Sequence, residues 1–136
     1  MLLHPIRESR EGMNRRVRIL LADIPYALRI FLEELLQRHT DVEVAGTVSD
    51  PVELLIAVED TQADVVVVTL PNSGEMPGIC SHLFNEYPQL LILALLPDRT
   101  RAWIYQQVTA VEQLVNTSEE EILKAIRKAK VNMDTS

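Results

Sequence analysis

Ala63-Asp64-Val65-Val66-Val67-Val68-Thr69-Leu70 decides the reading of this chain. Four consecutive valines are too few for a membrane span and too apolar for a strand with one wet face. Such a run fits a central parallel strand covered by helices on both sides. Other apolar runs lie on either side of it. Val17 to Ala22 reads as a first strand, Val42 to Val48 as a second and Leu90 to Leu96 as a fourth. Ala110 to Val115 reads as a weaker fifth strand.

Helical signals fill the intervals. Pro25 suits the first turn of a helix. After it, Leu28, Phe31, Leu32, Leu35 and Leu36 repeat at the spacing of one helix face. Asp50-Pro51-Val52-Glu53 combines a capping carboxylate, a first-turn proline and a capping-box glutamate. Gly78 to Tyr87 reads as a third helix stopped by Pro88, and Thr100 to Val108 as a short fourth. Ser118-Glu119-Glu120-Glu121 opens a fifth, whose acids come first and bases (Lys124, Arg127, Lys128, Lys130) last, as the helix dipole favours. The expectation is an α/β fold, a five-stranded doubly wound parallel sheet of order 2-1-3-4-5 with five helices. Ligands on such a sheet bind beyond the carboxyl ends of the first and third strands. Residues 1–14 are expected to be a mobile tail, 15–131 the domain and 132–136 a short C-terminal tail.

The 136 residues are 47% hydrophobic and 24% charged, the balance of a single globular domain. The net charge is −7 and is unevenly spread. Residues 1–20 carry +3, residues 21–123 carry −13 and residues 124–136 carry +3, and every lysine lies at or after Lys124. An acidic body argues against direct nucleic-acid binding. Apolar runs of roughly seven or eight residues are too short to cross a bilayer. A single cysteine gives no disulfide framework, and the start of the chain lacks a signal-peptide core, so the expected address is the cytoplasm.

Cys80 and His82 lie two apart on a helix, which does not put them on one face to hold a metal. His39 suits a helix end, and His4 lies in the tail. Ser73-Gly74 lacks the glycines and lysine of a phosphate loop. No catalytic constellation, metal or cofactor is expected, and the chain is not read as an enzyme.

Arg18-Ile19-Leu20-Leu21-Ala22-Asp23, Glu43-Val44-Ala45-Gly46, Ala63 to Val68, Glu86-Tyr87-Pro88 and Ser118 to Ile122 resemble the receiver (CheY-like) domain of bacterial response regulators. The resemblance covers about residues 16–130. It implies two acids after the first strand that bind magnesium; Asp23 holds the first place and Ile24 the second. It implies a phospho-accepting aspartate where Thr69 stands, and a Ser or Thr where Leu96 stands. A lysine is implied at Val115 and an aromatic switch residue at Glu112. One carboxylate cannot supply the oxygen shell of magnesium, and without metal and lysine nothing neutralises a moving phosphoryl group. The implied function is a degenerate receiver in two-component-type signalling that acts by protein contact, without phosphorylation.

Its expected contact face carries Arg99, Arg101, Trp103, Tyr105, Glu112, Glu119, Lys124, Arg127 and Lys128, with a protein partner or a second copy as occupant. Trp103, Ile104 and Tyr105 are consecutive, so on a helix they cannot all face inward. Two other readings stand beside this one. The strand-tip pocket could hold a small ligand, or the chain could be the receiver part of a longer DNA-binding regulator.

Overall fold

The computed structural model describes residues 16–70, 78–106, 109–115 and 117–135, with the side chains of 109–112 and 130–135 excepted. The elements run β1 (Val17–Leu21), α1 (Tyr26–Gln37), β2 (Val42–Thr47), α2 (Pro51–Thr61), β3 (Val65–Thr69), α3 (Gly78–Glu86), β4 (Leu91–Leu95), β5 (Arg101–Gln106), β6 (Thr109–Val115) and α4 (Glu119–Thr135). The sheet order is β2-β1-β3-β4-β5-β6. β1 pairs in parallel with β2 and β3, and β3 with β4, as the βα alternation requires. The last two pairings, β4 with β5 and β5 with β6, are antiparallel. The expected tail over residues 1–14 lies outside the described residues, and α4 runs past the expected domain end at residue 131.

Strand alternation sorts the apolar side chains into two cores. Ile19, Leu21, Val65, Val67, Leu91, Leu93 and Leu95 point to the side of α1 and α4, where they meet Leu28, Leu32, Ile122 and Ile126. Leu20, Val66, Val68, Ile92 and Ala94 point the other way, against Leu54 and Val58 of α2 and Leu83 and Phe84 of α3. The four valines are therefore buried on both faces. Helix starts obey their sequence signals. The Asp50 carboxylate accepts from the Val52 N–H at 2.9 Å. Ser118 and Glu121 exchange two 3.3 Å bonds in a capping box that opens α4.

Residues 100–108 correct the sequence expectation. Most of the segment expected as a fourth helix is β5, inserted between β4 and β6, so the described residues form six strands and four helices; Gln107 and Val108 lie outside the described residues. Two constraints decide this. Only residues 96–100 separate β4 from β5, and a parallel return through a helix takes a dozen or more residues, whereas a hairpin takes a few. The segment also alternates. Ala102 and Ile104 are fully buried, while Arg101 is exposed and Trp103 and Tyr105 are half-buried. A strand sends these two sets to opposite faces, which resolves the crowding of Trp103, Ile104 and Tyr105 that a helix would create. β-branched and aromatic residues favour that pleated setting.

The hairpin has specific supports. The Asp98 carboxylate accepts from the Thr100 N–H at 3.0 Å and its hydroxyl at 2.7 Å, which holds the Asp98 carboxyl below its usual range. Arg99 adopts a left-handed φ of 62°. Its guanidinium lies over the Phe31 ring of α1 at 3.9 Å, and its carbonyl accepts from the Thr117 N–H at 3.0 Å. The strained turn is thus tied to α1 and to the segment that leads into α4.

Two outcomes follow from this packing. Ile104→Ala should lower the unfolding free energy by about 2–5 kcal/mol in urea titration. Val115→Ala, at an exposed edge site, should change it by about 0.5 kcal/mol or less. Cys80 is fully buried among the α2 and α3 side chains, and burial pushes its thiol up to about 11. A thiol reagent at neutral pH should therefore leave the folded protein unlabelled and label one site in urea.

Candidate functional site

The carboxyl ends of β1 and β3 form the crevice where a doubly wound sheet receives ligands. Ala22 closes β1 by donating its N–H to the Val67 carbonyl at 2.9 Å, which sets Asp23 and Ile24 directly over the end of β3. Asp23 is exposed. Ile24 turns away and packs with Leu28 in the core beneath α1, only 9% exposed. Thr69 ends β3, and its hydroxyl makes a long 3.5 Å hydrogen bond to the Asp23 carbonyl. Leu96 follows β4 and packs into the opposite core beneath α2 and α3. Four of the positions singled out in the sequence thus meet around one crevice, and they bring to it one carboxylate, one hydroxyl and two buried aliphatic side chains.

Val115 does not join them. It ends β6 and is 60% exposed. Its strand is separated from β3 by both β4 and β5. Strands lie about 4.8 Å apart, so the tip of β6 stands about 14 Å from β3, against about 10 Å for the last strand of a 2-1-3-4-5 sheet. Inserting β5 has moved this position one strand outward.

These residues do not fit magnesium. Ile24 is committed to the core and Leu96 offers no donor, so among the described residues of the crevice the carboxylate of Asp23 stands without the second acid that a hard divalent ion needs. Among the described residues no group of three His, Cys, Asp or Glu is placed to hold a metal. Among the described residues, the hydrogen bond of the Thr69 hydroxyl goes to the Asp23 backbone carbonyl and not to a base that could activate it.

The candidate contact residues divide between the two faces of the sheet. Arg101, Trp103 and Tyr105 lie on the α2–α3 side, with the Arg101 guanidinium over the Trp103 ring at 5.4 Å. Arg99, Glu119, Lys124, Arg127 and Lys128 belong to the α1–α4 side. Several of these charges serve packing within the chain. Arg38, just after α1, pairs with Glu119 at 2.7 Å, and Arg127 grips Asp41 with bonds of 2.7 and 3.1 Å. The paired carboxylate holds the Arg127 guanidinium above its ordinary value. Together they fasten α4 to the end of α1. Lys124 is exposed, and with Lys128, Glu121, Ile104, Leu114 and Ala125 it lines a shallow groove of about 60 Å³ between α4 and β6. Glu112 stands opposite Ile104 in β6, and its side chain lies outside the described residues. Sequence reasoning missed this division because it placed residues 100–108 on a helix. The alternation of Arg101 to Tyr105 carried the signal.

No protein-family model matches the chain. Among curated proteins, the protein-glutamate methylesterase/protein-glutamine glutaminase 2 of Hahella chejuensis is 26% identical over 137 residues, covering 89% of this chain. The chain spans 37% of that protein's length. Two solved structures share the fold. The response regulator domain of Thermotoga maritima CheB gives a TM-score of 0.59 at 18% identity, covering 86% of this chain and 98% of that one. A double mutant of the anti-anti-sigma factor PhyR from Bartonella quintana also gives 0.59, at 6% identity, covering 96% of this chain and 56% of that one. Sheet order, crossovers and these likenesses agree that the chain has the CheY-like receiver fold, with Asp23, Ile24, Thr69 and Leu96 at the positions around its crevice.

Proposed function

We propose that the chain is a degenerate receiver that works in two-component-type signalling by protein contact, independently of phosphorylation. The observation that carries this reading is the crevice itself. Ile24 and Leu96 are built into the two cores, and the hydroxyl of Thr69 stands where an accepting carboxylate would be needed. A receiver that switches must hold metal and phosphoryl charge at that crevice, and apolar side chains there favour one fixed arrangement of the strand ends.

What remains for function is surface. The acidic body and the bases that follow the acidic first turn of α4 suit a protein partner or a second copy, and the negative charge disfavours direct contact with nucleic acid. No helix among the described residues is long and apolar enough to cross a membrane. Together with a single cysteine, buried and reduced, this supports action in the cytoplasm.

Incubation with magnesium and a small acyl-phosphate donor, followed by intact-mass measurement, tests the reading. The expected result is an unchanged mass. A gain of one phosphoryl group on the folded protein would overturn the proposal.

A further inference from the structure

At the amino ends of β3 and β4, opposite the crevice, lies a cleft of about 400 Å³. It opens where α2 and α3 both end. Gln62, with a left-handed φ of 56°, terminates α2, and the Ala63 N–H returns to the Val58 carbonyl at 3.0 Å. Tyr87 follows α3 and donates its hydroxyl to the Leu55 carbonyl of α2 at 2.6 Å, which ties the two helices together beside the cleft. The floor is apolar. Val58 and Leu90 are buried there, and Ala129 of α4 closes it from the other side of the sheet.

The rim is acidic. Glu59 of α2 and Glu86 of α3 both line the cleft, and both are exposed. Elsewhere arginines answer the acids. Glu43 holds Arg16 and Arg18, Glu119 holds Arg38 and Asp41 holds Arg127. Among the described residues no basic side chain pairs with Glu59 or Glu86. Arg18 reaches this end of α2, but its guanidinium donates to the Thr61 carbonyl and to Glu43. Asp64 also lines the cleft, and its carboxylate accepts the Arg18 N–H at 2.9 Å. The negative ends of two helix dipoles add to the same field. Burial, and then the Glu59, Glu86 and Asp60 carboxylates, hold the Tyr87 phenol above its ordinary value.

We infer that this cleft binds a small organic cation, an alkylguanidine or alkylamine, with its head between Glu59 and Glu86 and its alkyl stem on Val58, Leu90 and Tyr87. The inference stands apart from the signalling reading. The volume falls within the roughly 300–1,000 Å³ of small-molecule sites, where an apolar floor supplies contact and a few polar groups fix orientation. An anion would be repelled by the rim. A bare metal ion would need an oxygen shell that the apolar floor does not give. A cation with an apolar body satisfies both walls.

Amide NMR of the full chain, titrated with butylguanidine, tests this. Butylurea is its neutral counterpart of the same shape, and guanidinium chloride lacks the stem. Butylguanidine should give saturable shifts at Ala63, Asp64, Tyr87 and Leu90. The two comparison compounds should bind at least about tenfold more weakly, as expected for loss of a charge-assisted hydrogen bond or of the buried stem. The double variant Glu59→Gln/Glu86→Gln should weaken butylguanidine by about tenfold or more and leave the thermal melt unchanged, because both carboxylates are exposed. Absence of saturable shifts at these amides, butylurea binding as well as butylguanidine, or an unaltered affinity in the double variant would each overturn the inference.

Discussion

Strands β3 and β4 have no face turned to water, and the rest of the molecule follows from that. Val65 to Val68 and Leu91 to Leu95 are buried on both sides, so apolar layers must cover both faces of the sheet. α1 and α4 supply one layer, α2 and α3 the other. Hydrophobic burial of roughly 2 kcal/mol per large side chain dominates the favourable terms. The polar contacts refine position more than they add stability. The pairs Arg38–Glu119 and Arg127–Asp41 are partly exposed and each contributes about 1 kcal/mol or less. Their effect is to fix where α4 sits against α1.

The second organising feature is the turn from β4 to β5. A left-handed Arg99, an Asp98 carboxylate bonded twice to Thr100 and a guanidinium on Phe31 reverse the chain within five residues. The reversal converts what would be a helical crossover into a hairpin. It displaces the end of β6 from the crevice. The first side of the crevice changes independently, because Ile24 and Leu96 are drawn into the cores on either face.

Much of this was legible in the residues. The valine run, the i, i+3, i+4 leucines of α1, the Asp50 cap and the Ser118 capping box each act over a few residues, and each appears where its local chemistry requires. Asp23, Ile24, Thr69 and Leu96 could be assigned to strand ends because the strands themselves were plain. Residues 100–108 were not legible in the same way. Trp103, Ile104 and Tyr105 are compatible with either a crowded helix or a two-faced strand, and local propensity differs little between them. Only the buried space beside β4 decides the matter.

The sequence by itself determined the parallel core, its helices and the chemical poverty of the crevice, because hydrophobic period and residue type are local properties. Tertiary structure decided the sixth strand, the position of Val115 and the split of the candidate contact residues between opposite faces. Those depend on which surface each side chain meets across the sheet, and alternation in a strand sends neighbours in sequence to opposite sides of the molecule.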